Sequence, residues 1–105
     1  MFDGAKLLSF NKAVPLVEPK FSLLILAQLL VSGGSGNFNK LLSSINGLTP
    51  KTLSTRLKEL EEKGLVSKQI LVGRPIRIEY RLTKKGLALE KTLAELADWW
   101  TAGSA

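Results

Sequence analysis

The sequence contains no cysteine and no histidine. Without cysteine there is no disulfide framework, no thiolate metal site and no thiol redox switch. Without histidine the commonest general base and the commonest metal ligand are lost together. Nine carboxylates remain, but in a charged chain these are mostly solvated surface. No catalytic residue, metal site or cofactor is therefore expected, and an enzyme is the least favoured class. Long apolar runs are also missing. The longest, FSLLILAQLLV at residues 21–31, is too short to span a bilayer. Residues 1–15 lack a basic leader followed by a cleavage site and do not read as a signal peptide. The expectation is a cytoplasmic protein with no membrane partner.

What is present is one domain's worth of ordinary globular sequence: 105 residues, 45% hydrophobic and 23% charged. The net charge of +6 is concentrated. Residues 51–85 hold ten lysines and arginines against four acids, while the rest of the chain is balanced. A segment so enriched in positive charge attracts polyanions, nucleic acid foremost.

The periodicity orders the elements. Asp3 is placed to cap a first helix with Leu7, Phe10 and Val14 on one face, and Pro15 is expected to end it. A connector follows to about residue 19. Residues 21–31 are apolar on nearly every side and should form a central helix surrounded by others. SGGSG at residues 32–36 reads as a flexible loop. A third helix fits from a cap at Asn39 to Asn46, with Leu41, Leu42 and Ile45 inward, and Asn46-Gly47 supplies a left-handed stop. Thr49 then caps a fourth helix, with Pro50 at its first position. Two short helices joined by so tight a turn make a helix-turn-helix. Beyond Gly64 the period becomes two. Residues 65–72 form a strand, Gly73-Arg74-Pro75 a turn, and Ile76, Ile78, Tyr80 and Leu82 alternate with Arg77, Glu79 and Arg81. Thr83 caps a last helix to about Trp100, striped by Leu89, Leu93, Leu96 and Trp100, and residues 101–105 are expected to fray. The fold class is mainly α with a small β-hairpin, a winged helix-turn-helix. Its parts are a terminal helix and connector over 1–18, the central helix and helix-turn-helix over 20–64, a wing over 65–82 and a closing helix over 83–100.

The helix over residues 49–63 carries the functional argument. Leu53, Leu57 and Leu60 define its buried stripe. At about 100° per residue, Lys51, Thr55, Lys58 and Glu62 point directly away, flanked by Thr52 and Ser54, with Arg56 nearer the core edge. The outward face is basic and hydroxylic for two turns and acidic only at the rear. A helix tuned to its own macrodipole would place these charges the other way round. The front offers what phosphates and base edges accept: a backbone N-terminus, lysines and hydroxyls. Thr49, Lys51, Thr52, Ser54, Thr55, Arg56 and Lys58 are thus the candidate DNA-reading residues. In the wing, Arg74 and Arg77 form a basic finger suited to a minor groove or its phosphates. Lys40, Arg81, Lys84 and Lys85 are secondary candidates for phosphate contact, and Arg81 reads equally well as a charge protecting a strand edge.

Assembled, KFSLLILAQLL, NFNKLLSSINGLTPKTLSTRLKELEEKGLV and RPIRIEYRLTKKGLAL, with a terminal tryptophan pair, closely resemble the HxlR-type transcriptional regulators, compact winged-helix proteins related to the MarR group. The resemblance covers about residues 19–100. It implies that the helix over 49–63 reads a major groove, that 65–82 is the wing and that the terminal helices form a homodimer. On the matching positions it supports Lys51, Thr52, Thr55 and Arg56 as groove-facing, with Arg74 and Arg77 in the wing. The sequence departs from that pattern at Phe21, where the family often has tryptophan, and at Asn37, where an arginine is usual. Its glycine-rich loop is also longer. Some members sense oxidants or electrophiles through an N-terminal cysteine, a mechanism excluded here.

Trp99 and Trp100 at the end of a thin domain are better explained by a twofold partner than by internal packing. The expected interface comprises Leu7, Phe10, Leu89, Leu93, Leu96, Trp99 and Trp100. Two recognition helices so related would read an inverted repeat in double-stranded DNA. The alternatives are a sequence-tolerant DNA-architectural protein and a winged-helix protein-interaction module. No residue set points to an effector.

Overall fold

A computed structural model describes residues 1–103. Its elements are α1 (Gly4–Val17), α2 (Ser22–Val31), β1 (Ser35–Gly36), α3 (Phe38–Ser44), α4 (Pro50–Glu62), β2 (Val66–Leu71), β3 (Arg77–Leu82), α5 (Lys84–Leu87) and α6 (Leu89–Gly103). The core is built from Ile25, Leu26 and Leu29 of α2, Leu53, Leu57 and Leu60 of α4, and Leu41, Ile45 and Leu48 of the helix-turn-helix. Leu65, Val66, Tyr80 and Leu82 close it from the hairpin side. The chain is mostly helical with one small antiparallel sheet.

Several local expectations are corrected. Pro15 does not end α1, which continues to Val17. Proline only deprives the Asn11 carbonyl of a donor, and that position is exposed to water. The helix stops two residues later, where the Glu18 N–H donates to the Val14 carbonyl at 2.8 Å. Phe21 lies outside α2 in the left-handed region, at φ 76°. Helix α2 is not fully enclosed, since Leu24 and Val31 are exposed. The SGGSG segment is not simply a loop: Ser35 pairs with Arg81 and Gly36 with Tyr80, giving a sheet of order β1-β3-β2. Gly36 permits the strand to lie close over α2, where a Cβ would sit 3.4 Å from Leu29 Cδ2. The cap of α3 is Asn37 rather than Asn39, its side chain accepting from the Lys40 N–H at 2.8 Å, and α3 ends at Ser44.

The hairpin registers from Val66 opposite Leu82 to Leu71 opposite Arg77. Only its base is core. Tyr80 and Leu82 are buried, but Ile78, Ile76, Ile70 and Val72 are exposed, because the outer half projects past the body. The last helix is broken at Ala88 into α5 and α6. Thr83 caps α5, accepting from the Gly86 N–H, and donates its own hydroxyl to the Gly64 carbonyl at 2.6 Å. This clamps α5 to the α4–β2 junction, and α6 then leaves the body with no buried residue of its own. Residues Thr101 to Gly103 are helical rather than frayed. The remainder of the expected tail, Ser104 and Ala105, lies outside the described residues.

Candidate nucleic-acid interface

Helix α4 forms where its sequence marks it. The Thr49 hydroxyl oxygen accepts from the Thr52 N–H at 3.2 Å, Pro50 takes the first helical position, and Gly64 at φ 75° closes the far end. Leu53, Leu57 and Leu60 are buried. Lys51, Ser54, Thr55, Lys58 and Glu62 are exposed, and Thr52 is half-buried beside the cap. The hydroxyls are engaged locally: Thr55 donates to the Lys51 carbonyl at 3.0 Å, and Thr49 to the Thr52 hydroxyl at 3.0 Å. The first turn holds no acid to offset its lysine. The helix N-terminus therefore faces solvent as an uncompensated positive pole.

Arg56 stands apart from these. Its Nε donates to the Lys20 carbonyl at 2.7 Å and its Nη1 meets Glu59 Oε1 at 3.1 Å. The guanidinium is thus turned back into the fold and away from the solvent face.

An open cleft of about 550 Å³ separates α4 from the hairpin, lined by Ser54, Leu57, Lys58, Glu61, Glu62, Lys68 and Tyr80. It joins the outward side of α4 to the inner face of the wing. Lys68 and Tyr80 were not among the sequence candidates. Lys68 falls in phase with Val66 and Ile70, on the face of β2 that alternation assigns to the interior, so its charge carried the only available signal. Burial, and to a lesser degree the negative charge of Glu61, pushes the Tyr80 hydroxyl above its ordinary range. It stays a neutral hydrogen-bonding group throughout the physiological range.

At the wing, Arg74 and Arg77 are exposed, Arg74 in the turn and preceding Pro75 through a cis peptide bond. Arg81 is held by Glu79, Nε to Oε1 at 2.9 Å. That hydrogen bond, joined by one from Ser35, keeps the Glu79 carboxyl below its usual range. Arg81 is thus already paired within the sheet. A second cleft of about 330 Å³ is lined by Lys40 and Arg77 together with Ser32, Ser35, Asn37 and Glu79. Lys84 and Lys85 are exposed at the start of α5.

The terminal helices contribute no buried residue. Leu7, Phe10, Leu96, Trp99 and Trp100 are all exposed, the two tryptophans by 68% and 70%. Leu93 is half-buried, and Leu89 packs against the core. Among the described residues no cluster of acidic side chains could hold a metal ion. No single helix among them is long and apolar enough to cross a membrane.

Comparison with known proteins fits this architecture. Residues 16–104 match the family model of the HxlR-like helix-turn-helix. The chain is 41% identical over 92 residues to the uncharacterized HTH-type transcriptional regulator YvaP of Bacillus subtilis, covering 88% of this chain and 83% of that protein. It is 34% identical over 95 residues to the HTH-type transcriptional regulator YodB of the same organism, covering 85% and 84%. Among solved structures, a regulator assigned to the MarR family from Enterococcus faecalis V583 superposes with a TM-score of 0.84 at 31% identity, covering 94% of this chain and 88% of that one. The reduced form of YodB superposes with a TM-score of 0.75 at 30% identity, covering 94% and 91%. These relatives are transcriptional regulators rather than enzymes, and the fold is theirs: the chain belongs to the HxlR-like helix-turn-helix family of transcriptional regulators.

Proposed function

We propose that the protein acts in the cytoplasm as a homodimer that binds double-stranded DNA in a sequence-specific manner. The front of α4 enters the major groove and the wing reaches the adjacent minor groove and phosphates. The observation that carries this reading is the exposed, basic front of α4, with no acid in its first turn, on a helix whose later turns share a cleft with the wing. Lys51, Thr52, Ser54 and Thr55 stand where base edges would be met, with Thr49 at the helix end. Lys58 and Lys68 offer phosphate contacts at the edge of the cleft between helix and wing, whose interior Glu61 and Glu62 keep free of backbone, and Arg74 and Arg77 stand where the minor groove would follow. Lys40, Lys84 and Lys85 add outlying positive charge, and Arg81 adds less because Glu79 already holds it. Glu61 and Glu62 at the rear repel the backbone and limit how the helix can enter.

The exposed apolar residues of α1 and α6 support the dimer. A twofold partner covering Leu7, Phe10, Leu96, Trp99 and Trp100 would place two α4 helices on one duplex. The half-sites of an inverted repeat would then lie about one helical turn, roughly 34–36 Å, apart or a multiple of it. YodB has been solved in diamide-treated and quinone-bound forms. With no cysteine, this chain has no thiol through which to answer an oxidant.

The test is fluorescence anisotropy across a salt series on two duplexes, the DNA upstream of the protein's own gene and a scrambled sequence of equal composition. A preference that survives physiological salt supports a specific regulator. Equal affinities with a steep salt slope would favour a sequence-tolerant architectural protein. Absence of binding at low salt would leave only a protein-interaction module.

A further inference from the structure

Helix α4 is strapped to the hinge of the N-terminal helix at two points. Arg56 Nε donates to the Lys20 carbonyl at 2.7 Å, and Lys63 Nζ donates to the Pro15 carbonyl at 3.0 Å. Pro15 lies in the last turn of α1, and Lys20 in the connector where the chain bends by 83° into α2. Arg56 and Lys63 are seven residues apart, two helical turns, so both lie on one side of α4 about 10 Å from each other. A single bond would leave a pivot. Two bonds at that separation fix both the axial position and the direction of the helix.

The hinge that receives them is itself stiff. Phe21 adopts φ 76°, a conformation costly for an aromatic residue, which persists only where the surroundings over-determine it. Its ring packs against the core and lies near Gly47 in the turn between α3 and α4. The Lys20 ammonium sits 5.2 Å from that ring's centre. Glu59 holds the Arg56 guanidinium from the other side at 3.1 Å. Lys63, at the C-cap of α4, thus ties the helix to α1 itself, which carries one part of the expected dimer surface, and Arg56 ties it to the connector that α1 leads into.

We propose that Arg56 and Lys63 are positioning residues: they set the angle of α4 relative to α1, and so the spacing of the two half-sites, without touching DNA. This rests on the DNA-binding reading above and assigns Arg56 a different part in it from Lys51 and Thr55. The chemistry of arginine supplies a discriminating variant. A glutamine Nε2 stands the same number of bonds from Cα as the arginine Nε that makes the 2.7 Å bond. Arg56→Gln therefore keeps the strap and removes the charge, whereas Arg56→Met removes both.

If Arg56 positions the helix, R56Q keeps operator affinity within about twofold. R56M and Lys63→Met lose about tenfold, the scale of one charge-assisted hydrogen bond. The loss falls mainly on the operator, discrimination against scrambled DNA shrinks, and the slope of log K against log salt is unchanged for R56M. If Arg56 contacts a phosphate instead, R56Q and R56M weaken alike on every duplex and both slopes shrink by about one, which overturns the proposal. A DNA-free measurement separates this from failure of the functional reading. The chain has no cysteine, so spin labels at Lys12→Cys and Glu62→Cys, diluted with unlabelled protein, report the α1–α4 distance within one subunit. A narrow distribution in the parent and R56Q that broadens in R56M and K63M supports the straps even if no duplex binds. Equal widths in all four proteins would refute them.

Discussion

Replacing Gly86 by alanine should be among the most damaging small changes available to this fold. A Cβ at Gly86 would lie closer than 3.0 Å to the Leu65 carbonyl oxygen, 3.3 Å from its carbon and 3.1 Å from Leu82 Cδ2. The first two are backbone atoms and cannot rotate aside. That same carbonyl accepts the Thr83 N–H at 3.1 Å, so relief by moving α5 outward breaks a bond that holds α5 to the α4–β2 junction. Overpacking of this kind costs about 1–3 kcal/mol, and the lost hydrogen bond about 1 more. The sum, roughly 2–4 kcal/mol, corresponds to a fall in Tm of about 10–30 °C at 4–8 °C per kcal/mol for a domain of this size. Thermal and urea unfolding at one fixed protein concentration would measure it, fixed because association shifts apparent stability. Gly4→Ala is the matched control: nothing lies within 4 Å of its Cβ, and a helical alanine there should be neutral or stabilising by up to about 1 kcal/mol. A G86A protein within about 0.5 kcal/mol of the parent would refute the reasoning.

Arg74→Ala should weaken binding to every duplex and reduce the salt slope by about one, whereas Lys51→Ala should reduce the operator preference by about 1–3 kcal/mol; both are read from the same anisotropy series. Trp99→Ser with Trp100→Ser should convert a dimer to a monomer in sedimentation without unfolding it, because neither side chain belongs to the core. The Glu79 carboxyl should titrate below its ordinary value of 4.5, and Arg81→Met should bring it back up, as followed by carboxyl NMR. Since its folded pKa is depressed, its contribution to stability is present above the unfolded value and lost as pH falls through the folded one, a window lying below about pH 4.5.

Much of the helix-turn-helix could be read in advance because its signals are local. Thr49-Pro50, the leucines at 53, 57 and 60, and Gly64 fix where α4 begins, which face it buries and where it ends, each within a few residues. The outward lysines then follow from geometry alone. Features that depend on distant partners were not legible. Ser35 and Gly36 carry no strand signal, and they pair only because β3 supplies an edge that the bare Gly36 backbone can approach over Leu29. Arg56 resembles its groove-facing neighbours in sequence, but its acceptor is a backbone carbonyl 36 residues away, and carbonyls are the same at every position. Lys68 was obscured for the opposite reason: its place in an apolar alternation is real, and the cleft between α4 and the wing opens that position to solvent.

The closing helix shows how one periodic pattern can serve two interfaces. Leu89, Leu93, Leu96 and Trp100 recur at helical spacing, yet their burial declines steadily along α6, from packing on the core through half-burial to more than half-exposure. The radius of gyration, 15.2 Å, exceeds the roughly 13 Å of a compact domain this long, as expected if a helix runs outward beyond the core it starts from. An apolar stripe that outlasts its own core costs about 25 cal/mol for each Å² left in water, and paired tryptophans are the largest such surface a short stretch can carry. Covering that stripe with a second copy removes the cost. It also makes α6, and α1 with its exposed Leu7 and Phe10, the surface through which one α4 would be set against another.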